Sequence, residues 1–326
     1  MHDFTVLVLP GAYASSVAVT LDMLEAAAAL APRARTPRPT WRVLSPEGGD
    51  VGLGAGLRLA TGRMPARART DVSTWIVPGL GIDSPAAIAD RLAGDDARGA
   101  VAAVRRHAAR GGAVAASCSA VFLLQAAGLL AGRRATTSWW LASALAQLEP
   151  RCAVDADRMV CADGAVTTAG AALAQSDLML HLLRTRFGVA LADVVGKALL
   201  IDGRQAQAPF AVPAMMASGS ELVRRLTLRI EGALPRPPSV TALAGELAMS
   251  SRTLARHVRA ATGRGPLALV QSVRLNRARQ LIESSRMTIA QVAESVGYED
   301  ATALRRLMRK AAGAAPSQFR AAMMSG

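Results

Sequence analysis

Cysteine is scarce in this 326-residue chain, which has only Cys118, Cys152 and Cys161. Three unevenly spaced thiols, without His or Asp at ligand spacing, give no basis for a disulfide framework or a metal site, and they fit a reducing cytoplasm. Aromatic residues make up 3%, so the cores have to be built mainly from Ala, Leu and Val. Lysine is almost missing, with Lys197 and Lys310 alone, and arginine carries nearly all the positive charge. That bias accompanies an abundance of alanine and reads as a coding preference. No basic region followed by a long apolar run opens the sequence, which argues against a secretory signal. One uncharged stretch, Gly111 to Gly132, imitates a membrane span between Arg110 and Arg133. It changes character midway, reading as a strand at Ala113 to Ala116, a turn at Ser117-Cys118-Ser119 and a helix from Ala120 to Leu130. A buried strand-turn-helix is expected there and no membrane partner.

What is present is globular, with 51% hydrophobic and 19% charged residues. The length suggests two domains, each able to bury a core. The net charge of +14 is unevenly spread. Residues 1–202 hold 20 basic and 17 acidic side chains, whereas residues 203–326 hold 18 and 7. A domain so charged attracts polyanions, which makes nucleic acid or an anionic surface the leading partner class. The expected division is a domain at 1–201, a linker rich in Gly, Gln, Ala and Pro at 202–217, and a basic domain at 218–326 with its core at 239–322.

In the first domain short apolar runs alternate with helical patterns, the signature of βα units and a mostly parallel sheet. Strands are expected at Thr5 to Leu9, Trp41 to Leu44, Thr74 to Val77 and Ala113 to Ala116. Helices are expected at Ser16 to Leu30, Pro85 to Leu92, Arg98 to Arg110, Thr137 to Leu148, Ala171 to Arg186 and Leu191 to Leu200. Arg158 to Cys161 and Ala165 to Thr168 read as a hairpin across Ala162-Asp163-Gly164. Two runs end in Pro-Gly breaks, at Gly11 and Gly79, and would deliver their loops to the sheet edge where open α/β sheets hold ligands.

The basic domain contains a repeat at an offset of 50 residues, pairing Leu254 with Leu304, Arg256 with Arg306, Val258 with Met308 and Arg259 with Arg309. In the first copy Val240 to Leu247 reads as a short helix and Ala248-Met249-Ser250 as a tight turn. Ser251 is the expected cap of a second helix ending near Gly263. Leu254, Val258 and Ala261 share one face of that helix, and Arg252, Arg256 and Arg259 share another. The second copy opens with Thr288 and Gln291 at capping-box spacing, turns at Gly297-Tyr298 and resumes from Ala301 to Ala312. Thr302, Arg305, Arg306, Arg309 and Lys310 lie on its second helix. Leu267 to Glu283 reads as one longer helix joining the copies. An apolar face for packing and a cationic face for phosphates or guanine suit a helix that enters a major groove.

The run Leu247 to Leu254, followed by Thr262-Gly263 and Pro266, resembles the AraC family. Ile289 to Ala293, Gly297-Tyr298 and Gly313, Pro316, Phe319 and Arg320 extend the resemblance. It implies promoter binding through two helix-turn-helix units, usually by a homodimer and often as an activator, with RNA polymerase as a further partner. The DNA contacts it points to are Ser251, Arg252, Arg256, Arg259, Thr302, Arg305, Arg306, Arg309 and Lys310.

Ala115 to Ala120, then Ala127 to Leu130, Gly132-Arg133, Thr136-Thr137, Trp139 and Thr167 to Gly170, are similar to the class I glutamine amidotransferase-like, PfpI-type domain of GlxA-type regulators. The resemblance implies a flavodoxin-like α/β fold and places Cys118 where the superfamily's enzymes carry their nucleophile. A helix N-terminus stabilises a thiolate there, but acyl transfer also needs a base and a group to orient it. Related regulators commonly have His where this chain has Ser138, and the first loop, where family enzymes often offer a carboxylate, reads Ala14-Ser15-Ser16. Catalysis is therefore not expected, no cofactor is called for, and Cys118 reads as a vestigial nucleophile. The candidate pocket for an unknown small-molecule effector comprises Gly11, Ser15, Gly79, Cys118, Ser119 and Ser138. A buried structural cysteine is the plainer reading of Cys118. A PfpI-type cysteine hydrolase or glyoxalase-like enzyme with a DNA-binding appendage is the alternative function.

Overall fold

A computed structural model describes residues 2–65, 71–82, 84–156, 158–201, 221–262 and 265–312. The chain divides into Met1–Arg204 and Gln205–Gly326. The linker expected at 202–217 falls outside the described residues.

In the first unit β1 (Phe4–Leu7) is buried at every residue, as befits a central strand covered on both faces. The turn at Pro10–Tyr13 leads into α1 (Ala14–Ala34), which stops where Arg35 adopts φ 55° and its N–H returns to the Ala31 carbonyl. Among the described residues α1 is the one helix long and apolar enough to cross a membrane. Its Val17, Met23, Leu24, Ala27 and Ala31 are instead committed to the core.

The chain continues through β2 (Trp41–Ser45), β3 (Gly49–Gly52), β4 (Arg58–Arg63), β5 (Thr74–Val77), α2 (Ala87–Ala93), α3 (Asp95–Ala109) and β6 (Val114–Ser117). Then come α4 (Val121–Ala126), β7 (Arg134–Ala135), α5 (Ala142–Leu148), β8 (Ala153–Val154), β9 (Val160–Asp163), β10 (Val166–Ala169), α6 (Gln175–Phe187) and α7 (Val189–Ala198). The main sheet runs β3-β4-β2-β1-β5-β6-β10-β9. It is parallel except for β3 and β9, which pair antiparallel at the two edges. Strand order reverses between β1 and β5, so the loops after them flank the crevice at which open sheets hold ligands.

The mostly parallel α/β fold is as expected, with four differences in detail. The β3–β4 hairpin and the small β7–β8 pair carry weak apolar alternation and have no counterpart in the sequence reading. The second hairpin turns at Gly164-Ala165, since Val166 pairs with Asp163 and Gly164, at φ 61°, takes the position that needs a positive φ. The helix expected over Ala120 to Leu130 is the shorter α4, preceded by a 3-10 turn at Cys118–Ala120. The helix expected from Thr137 begins only at Ala142, because Thr136, Thr137 and Ser138 spend their hydroxyls on buried tertiary hydrogen bonds.

The second unit is all-helical. It comprises α8 (Glu221–Glu231), α9 (Val240–Glu246), α10 (Ser251–Thr262), α11 (Pro266–Ser284), α12 (Ile289–Ser295) and α13 (Ala301–Ala312). Val223, Leu226, Ile230, Leu243, Leu254, Val258, Leu269 and Val273 form one core. Ala278, Ile282, Val292, Val296, Leu304 and Met308 form another. The 19-residue α11 serves both. Each copy of the repeat is thus a separate helix-turn-helix packed on a different half of one connecting helix.

Candidate functional site

The exposed face of each second helix follows from its turn. In the first copy Ala248 takes φ 52°, and Ser250 caps α10 by accepting a hydrogen bond from the Thr253 N–H at 3.1 Å. Ser251, the expected cap, is already the first helical residue and is exposed. The second copy uses the same device. Gly297 takes φ 81° and Asp300 accepts from the Ala303 N–H at 2.7 Å. The capping box of Thr288 and Gln291 opens α12 as the spacing suggests. With the caps fixed, Leu254 and Val258 point inward on α10, as do Leu304 and Met308 on α13.

At about 100° per residue, Arg252, Arg256 and Arg259 then fall on the opposite side of α10, and Thr302, Arg306 and Arg309 on that of α13, with Arg305 on the flank next to Met308. All seven are exposed. Among the described residues none of the six arginines forms an ion pair. Lys310 lies in the last turn of α13, and its side chain is outside the described residues. Elsewhere in the unit arginines are spent internally, as in the two-pronged pair of Arg229 on α8 with Glu246 on α9, both contacts at 2.8 Å.

In the first unit the candidate pocket is only partly assembled. Cys118 follows β6 with φ 54°, a left-handed conformation that costs a non-glycine residue about 1–2 kcal/mol. Its N–H donates to the Gly170 carbonyl at 2.7 Å, and its carbonyl accepts from the Thr137 hydroxyl at 2.7 Å. The Ser138 hydroxyl donates to Cys118 Sγ at 3.0 Å, and Ser119 Oγ accepts from the Leu80 N–H at 3.0 Å. Gly79 closes the front, since a Cβ there would lie 3.1 Å from both Cys118 Cβ and Tyr13 Cδ2. The elbow is held, but Cys118, Ser119 and Ser138 are all fully buried.

Gly79, Cys118, Ser119 and Ser138 therefore come together, joined by Thr137 and Gly170, which the sequence offered for the family resemblance and not for the pocket, and by Tyr13, which it did not single out. Ser15 is exposed on the first turn of α1 and Gly11 is exposed in the loop before it. Ser16 is the buried neighbour and donates to the Ala172 carbonyl at 3.0 Å.

Burial pushes the Cys118 thiol up, and the hydrogen bonds from Ser138 and Ser119 offset only part of this. The neutral thiol is the resting form. Among the described residues no histidine or carboxylate reaches its sulfur. His107 lies at the far end of β6, bonded to the Ala113 carbonyl at 3.2 Å and stacked on Trp75 at 4.8 Å. Burial also lowers its pKa. No described group of three His, Cys, Asp or Glu side chains is arranged to hold a metal.

Comparison with known proteins agrees with both halves. The DJ-1/PfpI family matches residues 76–185 and a helix-turn-helix domain family matches residues 243–322. The transcriptional regulator GlxA of Rhizobium meliloti is 28% identical over 291 residues, 85% of either chain. The regulator CdhR of Pseudomonas aeruginosa is 27% identical across 99% of this chain and 92% of its own. An AraC family regulator from Pseudomonas putida superposes with a TM-score of 0.51 at 22% identity, covering 61% of this chain and 100% of its own. Drosophila melanogaster DJ-1beta gives 0.50 at 20% identity, with 62% and 100% covered. These two structures show the α/β fold of the first unit.

Proposed function

Because the chain is a helix-turn-helix transcriptional regulator of the AraC type with a DJ-1/PfpI-like domain, we propose that it binds double-stranded promoter DNA in the cytoplasm as a homodimer. Both helix-turn-helix units of each chain read the major groove, and RNA polymerase is the further partner. The observation that carries this is the pair of matched arginine faces, held outward by caps and cores that repeat from one copy to the next. Ser251, Arg252, Arg256, Arg259, Thr302, Arg305, Arg306, Arg309 and Lys310 form the proposed contact surface.

The first unit pairs the chains and senses an effector without performing catalysis. Supporting this reading, Cys118 is a buried neutral thiol with a serine, not a base, on its sulfur. Acyl transfer requires a nucleophile with a base in reach.

Fluorescence anisotropy with DNA from upstream of the protein's own gene, against scrambled competitor across a salt series, tests the assignment. Arg256→Ala and Arg306→Ala should each lose about 1–3 kcal/mol where the arginine reads a base, or lower the salt slope by about 1 where it neutralises a phosphate. Affinity unchanged at every salt concentration would remove these helices from the reading surface.

A further inference from the structure

Arg274 lies on α11 where that helix passes from one helix-turn-helix core to the other. Val273 belongs to the first core, and Leu275 and Ala278 pack in the second. The guanidinium reaches across to the turn of the second helix-turn-helix. Its Nε donates to the Val296 carbonyl at 2.7 Å, and its Nη2 donates to the Gly297 carbonyl. The same group stacks 3.9 Å above the Tyr298 ring. The Tyr298 hydroxyl is buried without a partner among the described residues, so the guanidinium and the apolar neighbours hold this ring. Pro235, in the α8–α9 loop beside the first helix-turn-helix, sets its carbonyl so close to Gly297 that a Cβ would overlap it. The connecting helix, the α8–α9 loop and the turn of the second helix-turn-helix all meet at Val296–Tyr298.

From this junction we infer that Arg274 is a positioning residue that fixes the register of the two reading helices, so that one chain accepts a single spacing between two DNA boxes. The 19 residues of α11 span about 28 Å, comparable to the roughly 34 Å of one DNA turn. Adding a base pair between boxes moves the second by about 3.4 Å along the axis and turns it by about 34°. A rigid junction cannot follow that displacement. Charge-assisted donation to two carbonyls, with the guanidinium carbon over an aromatic ring, is geometry that arginine provides and lysine does not. The inference rests on the reading that both units touch DNA.

The test uses the full chain. Selection from random DNA gives the operator; binding is then measured to it, to each box alone, and to operators with one base pair inserted or deleted between boxes. Wild type should lose about tenfold or more per spacing change, the scale of a mismatched base pair. In Arg274→Met and Arg274→Lys the penalty should shrink to about threefold or less, while single-box affinity stays within about threefold of wild type. Arg274→Lys keeps the charge and stem, so it answers the question even if Arg274→Met melts the second helix-turn-helix by circular dichroism. A spacing penalty unchanged in the folded variants, or single-box affinity falling in step with operator affinity, would show a merely structural arginine and overturn the inference. A wild type without sequence preference would instead refute the DNA-binding reading.

Discussion

Replacing Gly297 by alanine should damage the second helix-turn-helix severely, whereas the mirror change in the first helix-turn-helix should strengthen that one. Gly297 sits at φ 81°, where an L-residue pays about 1–2 kcal/mol. Its new Cβ would overlap the Pro235 carbonyl and lie 3.1 Å from Arg274 Nη2. Backbone cannot step aside as a side-chain tip can, so a further overpacking cost of about 1–3 kcal/mol applies. The total, about 2–5 kcal/mol, is a large share of a domain's typical 5–15 kcal/mol and corresponds to a fall in Tm of about 10 °C or more. Ala248 occupies the matching turn at φ 52°. Ala248→Gly relieves the left-handed strain and costs about 0.5–1 kcal/mol of chain entropy, leaving a gain of up to about 1.5 kcal/mol. The assay separates the α/β unit from the helical unit. Trp41, Trp75, Trp139 and Trp140 all belong to the first unit, so tryptophan fluorescence follows it alone and serves as an internal control. The far-UV helical signal follows the second unit as well. Gly297→Ala should lower the helical transition and leave the tryptophan transition in place. A variant with an unshifted helical transition would refute the steric argument, and the junction built on it would lose its main support.

Two further outcomes follow from the sites. The Cys118 thiol, pushed up by burial, stays protonated in the folded protein where a free thiol would ionise. Its contribution to stability is thus complete below the ordinary thiol pKa of about 8.5 and is lost as pH rises through the folded value. Iodoacetamide at pH 7.5 should label Cys118 far more slowly in native than in urea-unfolded protein, read by mass spectrometry of the tryptic peptide; equal rates would reinstate a reactive cysteine. Ser250→Ala should cost about 1 kcal/mol through loss of the α10 cap, whereas Ser251→Ala should stay within about 0.5 kcal/mol. The reverse order in thermal melts would return the cap to Ser251.

The periodic features were legible in the sequence alone. Leu254 and Val258 against Arg252, Arg256 and Arg259, and the same pattern 50 residues on, define an amphipathic helix whatever surrounds it, because 3.6-residue periodicity is a local property. The split of Gly111 to Gly132 into strand, turn and helix was legible for the same reason. Caps one residue apart were not, since Ser250 and Ser251 are chemically alike and only the backbone decides which hydroxyl meets the Thr253 N–H. The candidate site was legible only at Cys118 and its sequence neighbours. Tertiary structure decided that Ser138 would face Cys118 from 20 residues away, that Gly79 would seal it from 39, and that Ser15 would face outward. It also decided that Arg274, one arginine among several on α11, would bridge to the turn at Gly297. Such bonds depend on which loops the sheet order or a packed helix brings together, and no local pattern records that. The sequence determined which surfaces are apolar and which are cationic, while long-range packing determined which polar groups would find one another.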